Sequence, residues 1–428
     1  MSPNPSDEAA PLDQGERDTV YEHQLKRLRD PVAHLPHEIS CEIFTHYIPH
    51  PHERHATLSE PLTLLGVCTH WSETALSAPQ IWSNVEIRIP SKFMITPDYT
   101  AFLDAWLARA KTRPLYLSFR GSQSLYEEIT RIVVSHATHL RELVLPCIQY
   151  LFIFPLGNTT FPSLHTLRLQ DNYSYNEGSL DAAVISQILR CTPQLRLLVF
   201  GERYLSRPTI SSPSPTLHTS LTMLNIVNAE SGESCILKDL TLPSLTHLEL
   251  ILWSKSHLDE FAGFLVRSAP PLREVRLYPW PQDSDSIMTE YRPTFERVLR
   301  LLGGLPSLHL CVGGLAEVVF YEILADRSNL PLLPSLTSLT VQHYGMTTTR
   351  LRGWFSALMN VLVARAASGL TEFELYVGQL EDETVRYMES FCGENENNER
   401  LPVVQELRAQ GMRVDIRLVK ENLRKLGE

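Results

Sequence analysis

The feature that most limits what this chain can become is a phrase, Leu-x-x-Leu-x-Leu or a close variant, that returns through most of its length. It reads Leu140/Leu143/Leu145, Leu164/Leu167/Leu169, Leu195/Leu198/Phe200, Leu221/Leu224/Ile226, Leu245/Leu248/Leu250, Leu272/Val275/Leu277, Leu336/Leu339/Val341 and Leu370/Phe373/Leu375, with a shortened copy at Leu308/Leu310/Val312. Leu115/Leu117/Phe119 opens the series and Val414/Ile416/Leu418 closes it. Alternation of period two inside each phrase predicts a short strand with one apolar face. Between phrases, Ser179 to Arg190, Ser256 to Arg267 and Leu351 to Ala366 carry apolar residues at helical spacing. The repeating unit is therefore strand, turn, helix, and such a unit buries its apolar face only by stacking on a neighbour.

Successive anchor leucines stand 24, 31, 26, 24, 27, 36, 28 and 34 residues apart, a ragged repeat. In phrase and spacing it resembles a leucine-rich-repeat solenoid. The expected fold class is α/β: an irregular βα solenoid with parallel strands on the concave face and helices on the convex face. The usual repeat of that family places Asn three residues past the last strand leucine, where its amide satisfies the turn. Only Asn172 does so here, so other groups must satisfy the turns. Alternation places Thr166, Arg168, Gln170, His247, Glu249, Ile251, Glu274, Arg276, Tyr278, Ser338, Thr340, Gln342, Glu372, Glu374 and Tyr376 on the face opposite the leucines.

Charge separates the chain into zones. The first 90 residues hold thirteen acidic and six basic residues, and most of the net charge of -11 lies there. No basic stripe able to displace counterions from nucleic acid is present as a net property, and an anionic membrane surface is disfavoured for the same reason. The seven cysteines have no CxxC or zinc-knuckle spacing. No apolar run is long enough to span a bilayer, and residues 1–30 lack the apolar core of a signal peptide. The expected compartment is cytoplasmic or nuclear, with residues 1–30 a disordered polar tail, 31–90 a helical module, and 91–428 the repeats with a C-terminal cap.

In the helical module, Pro36 suits the first helical position, and Ile39, Ile43, Phe44 and Tyr47 share one face until Pro49 and Pro51. A second run, Leu64, Leu65, Cys68, Trp71, Ala75 and Leu76, reads as one more amphipathic helix, broken at Ala78-Pro79 and followed by Ile81-Trp82. Two or three short helices enclose little core of their own. The ordered string Leu35-Pro36-x-Glu38-Ile39, Ile43-Phe44, Val67-Cys68-x-x-Trp71 and Pro79-x-x-Trp82 resembles the F-box, in the form common in large fungal F-box families, over about residues 31 to 85. That resemblance implies a substrate-recognition subunit of an SCF-type cullin-RING ubiquitin ligase. Leu35, Pro36, Ile39, Ile43, Phe44, Leu65, Val67, Cys68, Trp71 and Trp82 would dock on the Skp-type adaptor, and the repeats would hold a target protein. The alternative is a leucine-rich-repeat interaction scaffold not coupled to a ligase.

No phosphate loop, nucleophile elbow, HExxH or dinucleotide fingerprint is present, so no catalytic residue, cofactor or enzymatic activity is expected. Eight of the 16 histidines fall between His23 and His70, a density that could ligate zinc. Without a completing cysteine or carboxylate cluster, the segment reads as a solvated Pro- and His-rich loop, and no metal site is expected. For the target, the candidate residues are Arg168, Tyr173, Tyr175, Trp253, Arg276, Tyr278, Trp280, Tyr344 and Tyr376, where aromatic mass and isolated arginines gather on successive units; the alternative for Trp253 and Trp280, and the favoured one, is that they replace the missing Asn and pack inside the turns.

Overall fold

The computed structural model describes residues 31–51, 53–89, 97–121, 126–145, 159–169, 182–200, 215–226, 236–252, 254–279, 285–312, 316–325, 332–344, 348–378 and 402–419. The tail expected over residues 1–30, together with Gln170 and Asn172, lies outside them. The chain is α/β and divides into two compact units, Met1–Arg120 and Gly121–Glu428.

The first unit begins with a 3-10 turn, Pro31–His34, then α1 (His37–Tyr47), α2 (Ser59–Leu65) and α3 (Thr69–Ser77). A second 3-10 turn at Pro79–Trp82 leads to β1 (Asn84–Ile89), α4 (Pro97–Ala108) and β2 (Leu115–Gly121). Pro36 stands one residue before the expected position: it is extended, and its carbonyl accepts from the Ile39 and Ser40 amides at 3.0 and 3.1 Å. The expected single second helix is two. The Gly66 amide bonds back to the carbonyls of Leu62 and Thr63 to close α2, and Cys68, extended at φ −160° and ψ 170°, starts α3 afresh. Glycine weakens a helix interior by about 1 kcal/mol relative to alanine, so the break falls where continuation is weakest.

The unit also runs past the expected boundary near residue 90. The fully buried Trp82 ring meets Trp106 of α4 edge-on at 4.7 Å, and the Tyr116 amide donates to the Ser83 carbonyl at 2.8 Å. The Pro- and His-rich segment is an irregular loop exposed at His50, Glu53 and Arg54, as expected, but it is anchored to β1 at its end. Its buried Ala56 carbonyl accepts from the Glu86 amide at 2.6 Å, and the Asn84 amide group donates to the carbonyls of Pro49 and Arg54 at 2.9 and 3.1 Å. His55 Nδ1 lies 2.9 Å from Asn84 Oδ1.

The second unit repeats β and α elements: α5 (Tyr126–Ser135), β3 (Leu140–Leu145), β4 (Thr166–Leu169), α6 (Ala182–Cys191), β5 (Leu197–Phe200), β6 (Thr216–Leu217) and β7 (Met223–Ile226). A 3-10 turn (Ile236–Asp239) precedes β8 (Leu240–Thr241) and β9 (His247–Leu252). Then follow α7 (Lys255–Ser268), β10 (Glu274–Pro279), α8 (Asp285–Leu301), β11 (Ser307–Val312), α9 (Ala316–Ala325), β12 (Ser338–Tyr344), α10 (Thr348–Ala366), β13 (Glu372–Gly378), α11 (Pro402–Ala409) and β14 (Arg413–Val419). Among the described residues, no helix is long and apolar enough to cross a membrane.

Within this unit the strands pair in parallel in the order β3-β4-β5-β7-β9-β10-β11-β12-β13-β14, while β6 and β8 make a separate parallel pair. Their register sets Leu143, Leu167, Leu198, Leu224, Leu248, Val275, Leu308, Leu339, Phe373 and Val414 side by side, all buried. A second row two residues on, from Leu145 to Leu375, is buried likewise. The register corrects one expectation: Leu308 aligns with Val275 and Leu339, so the phrase in β11 is complete as Leu305/Leu308/Leu310. The apparent irregularity at that unit came from anchoring it three residues late.

A second set of contacts fixes this register. The carbonyl just before a strand accepts two amides from the next strand's approach: Thr222 takes those of Thr246 and His247 at 2.8 and 3.0 Å, and Thr337 those of Thr371 and Glu372 at 2.9 and 3.0 Å. The hydroxyls of Thr222, Thr246, Thr337 and Thr371 add a third bond, donating to the carbonyls of Arg196, Thr222, Pro306 and Thr337 at 2.9 to 3.1 Å. Helix arginines also reach back to the preceding unit. Arg267 of α7 donates to the carbonyls of Leu237 and Leu240, and the buried Arg365 of α10 donates to those of Leu324 and Leu332.

Leu248→Ala, at the centre of the leucine row, is expected to cost about 3 kcal/mol and Thr246→Val about 1 kcal/mol, read from denaturant midpoints. Buried His218 supplies a pH dependence. Its Nδ1 accepts from the Leu221 amide at 3.1 Å and its Nε2 donates to the Thr192 carbonyl at 3.0 Å, an arrangement that needs the neutral ring. Burial holds its pKa below the ordinary 6.5, outweighing the Thr192 bond. The unfolded chain then binds the proton first, so stability is full above 6.5 and declines as pH falls below it. Urea midpoints across that range should show this component in the wild type and not in His218→Gln.

Candidate functional site

In the first unit, α1 and the residue that caps it carry two adjacent stripes with opposite fates. Ser40, Phe44 and Ile48 face inward: the Ser40 hydroxyl bonds the Val32 and Pro36 carbonyls, and the Phe44 ring lies 4.9 Å from Trp71. Ile39, Ile43 and Tyr47, each four residues from the next, remain 49, 43 and 49% exposed. Val67 after α2 is exposed as well, as are Leu62 of α2 and Leu76 of α3. Of the ten residues singled out in sequence, Pro36, Ile39, Ile43 and Val67 are at the surface, and Leu35, Leu65, Cys68 and Trp71 are half-buried. Phe44 and Trp82 are core: Trp82 Nε1 donates to the Ala75 carbonyl at 2.8 Å, and Arg109 lies over its ring at 5.0 Å. A partner can touch neither without opening the module. Tyr47, Leu62 and Leu76 were missed as surface residues, although Tyr47 follows Ile39 and Ile43 at helical spacing.

In the second unit, the strand face opposite the leucines carries a hydrogen-bonded ribbon across successive strands. Glu249 of β9 accepts from Asn225 of β7 and from the Tyr278 hydroxyl of β10, each at 2.5 Å. Cys311 of β11 lies 3.3 Å from Gln342 Oε1 of β12. Arg276 Nε donates to Glu274 at 3.0 Å, and His309 approaches the same carboxylate at 3.5 Å. Farther along, Tyr376 donates to Glu374 at 3.1 Å, and Arg417, paired with Asp415 at 2.6 Å, lies over the Tyr376 ring. Glu372 and Arg413 pair at 2.9 Å.

These surroundings decide protonation. Burial, with Cys311 and Glu249 nearby, pushes the Tyr278 phenol well above its ordinary value, and burial pushes the Cys311 thiol up to about 12. Both are neutral donors at pH 7. Burial and Arg276 hold His309 below its ordinary value against the pull of Glu274 and Glu374. Burial opposes the Arg276 charge, but its bond to Glu274 and the nearby Glu249 raise its pKa. Among the described residues, no group of three or more His, Cys, Asp or Glu could hold a metal ion.

The structure places Arg168, Arg276, Tyr278 and Tyr376 on this one face. Tyr173, Tyr175, Trp253 and Trp280 lie outside the described residues, as does the Tyr344 side chain. Alternation correctly put Glu249 and Gln342 here, whereas Ile251 and Thr340 prove buried. Asn225, His309, Cys311 and Arg417 were missed, although each occupies an alternate position of its strand phrase. Compared with protein-family models and with curated proteins, the chain matches none.

Ile39→Asp with Ile43→Asp should leave the denaturation midpoint of the first unit within the equivalent of about 0.5 kcal/mol. Phe44→Ala should cost about 3 to 5 kcal/mol on the same measurement.

Proposed function

We propose that this chain is the substrate-recognition subunit of an SCF-type cullin-RING ubiquitin ligase. Residues 31–90 act as an F-box that docks on a Skp-type adaptor, and the repeats, read as an irregular leucine-rich-repeat solenoid, hold a target protein on their polar strand face. The observation that carries the reading is the stripe Ile39, Ile43 and Tyr47, exposed within the segment whose motif order resembles the F-box. Water-facing apolar side chains in a row on one short helix stabilise nothing in the free protein, and such patches mark protein contacts. Phe44 and Trp71 support the stripe from beneath, which makes it a preformed surface.

The chain's part in ubiquitin transfer is positional. Holding a target near the charged ubiquitin carrier makes an encounter between two dilute proteins effectively intramolecular, at the high local concentration that tethering gives. In this role the ribbon of Asn225, Glu249 and Tyr278 orders the binding face. Two neutral donors holding a carboxylate fix its side chain without neutralising it.

Co-expression with a Skp-type adaptor tests the reading. The wild-type chain should co-purify with it, and Ile39→Asp/Ile43→Asp should lose at least about nine-tenths of that recovery while keeping its fold, as expected when apolar anchors at an interface centre are replaced by charge. Absence of adaptor from the wild-type preparation would sink the ligase reading and leave a repeat scaffold without ligase coupling.

A further inference from the structure

The strand face of the second unit is not uniform. In register, Arg168 of β4, Val199 of β5, Asn225 of β7 and Glu249 of β9 stand side by side, and next to them run Thr166, Leu197, Met223 and His247. Leu197, Val199 and Met223 therefore form an apolar island that reaches the surface, unlike Val144 and Ile251 of the same face, which are buried. Leu197 and Val199 are half-buried and Met223 is 38% exposed. The island is bordered by opposite charges, Arg168 on one side and Glu249 on the other.

Both charges can accept a new partner. Arg168 is half-exposed, and among the described residues the carboxylate it approaches is that of Glu142, at a loose 3.7 Å. The hydrogen-bond donors to Glu249 are the neutral Tyr278 hydroxyl and Asn225 amide, while the nearby Arg276 donates to Glu274 instead. The carboxylate is thus held in place with its charge intact.

We propose that this region, from β4 to β9, binds an extended protein segment in which an apolar side chain is flanked by an acidic residue on one side and a basic residue on the other. The apolar side chain covers Leu197, Val199 and Met223, the acid meets Arg168, and the base meets Glu249. This rests on reading the strand face as the target-binding surface. Strand spacing sets the ligand's dimensions: β4 to β9 is three strand steps, roughly 14 Å, which an extended chain rising ~3.3 Å per residue covers in about four residues. The acid and the base are therefore about four residues apart, with the apolar residue between them and closer to the acid, since Val199 is one strand from Arg168 and two from Glu249. Opposite flanking charges also fix which way the segment runs.

Selection of a random 12-residue peptide library on the full-length chain tests this directly. The enriched peptides should carry acid, apolar and basic residues in that spacing. For one such synthetic peptide, Arg168→Glu and Glu249→Gln should each weaken binding roughly fivefold, the loss of a single partly exposed charge contact. Met223→Asp should abolish it, with circular dichroism confirming an intact fold. Arg168→Glu should also come to prefer the peptide whose acid is replaced by Lys. Failure to enrich any peptide, enrichment without flanking charges, or affinity indifferent to Arg168 and Glu249 would overturn the proposal. Adaptor co-purification is read on the first unit alone, so the ligase reading and this one can fail separately.

Discussion

Much in the second unit depends on one arrangement: the carbonyl just before a strand accepts the first amides of the following one. At His165, Arg196, Thr222, Thr246, Pro306 and Thr337 that acceptor is shared by two amides, and at four of these by a threonine hydroxyl as well, so the next strand has one position in which its bonds are met. A slip by one residue would lose those bonds and turn the leucine row towards water. Backbone chemistry and apolar burial thus select the same register. The polar ribbon follows from it, because Asn225, Glu249 and Tyr278 meet only if three strands are aligned to the residue.

Much of this was legible in the leucine phrase, since period-two alternation in a stacked unit leaves little freedom about which face is buried. The first two phrases after Leu140, for example, put Leu167 and Leu198 where the structure has them, in register and buried. Phrase matching erred at Leu305, where Pro306 and Ser307 divide two leucines and the following Leu308, Leu310 and Val312 offered a rival reading. The threonine bonds went unseen although a Leu-Thr pair recurs at 221, 245, 336 and 370, because a hydroxyl's partner lies in another unit and leaves no local pattern. The Asn expected in the turns had a physical task, satisfying backbone groups, and here threonines and the reaching arginines Arg267 and Arg365 do comparable work at different positions.

The first unit was harder to read for a related reason. Helical spacing groups Ile39, Ile43, Phe44 and Tyr47 on one apolar arc, but it cannot say where on that arc the protein's own core ends. Trp71 and the 3-10 turn at Pro31–His34 claim Phe44 and Ser40, and the neighbouring stripe is left to water. Trp82 shows the reverse. Its motif suggests a surface, yet Trp106, more than twenty residues downstream, closes over it, a long-range contact no local pattern contains. What a partner would need is thus displaced sideways along the helix from what the motif emphasises.

The connections between phrases differ by as much as ten residues, yet the strands they join remain aligned. Length is absorbed away from the sheet, since only the phrase and the residue before it answer to the shared carbonyl. Over generations, then, insertions and deletions in the connecting segments are nearly invisible to the strand face, while a single insertion inside a phrase is catastrophic. A lineage of such chains can diverge until overall similarity to relatives fades and still present side chains at the same addresses on the sheet.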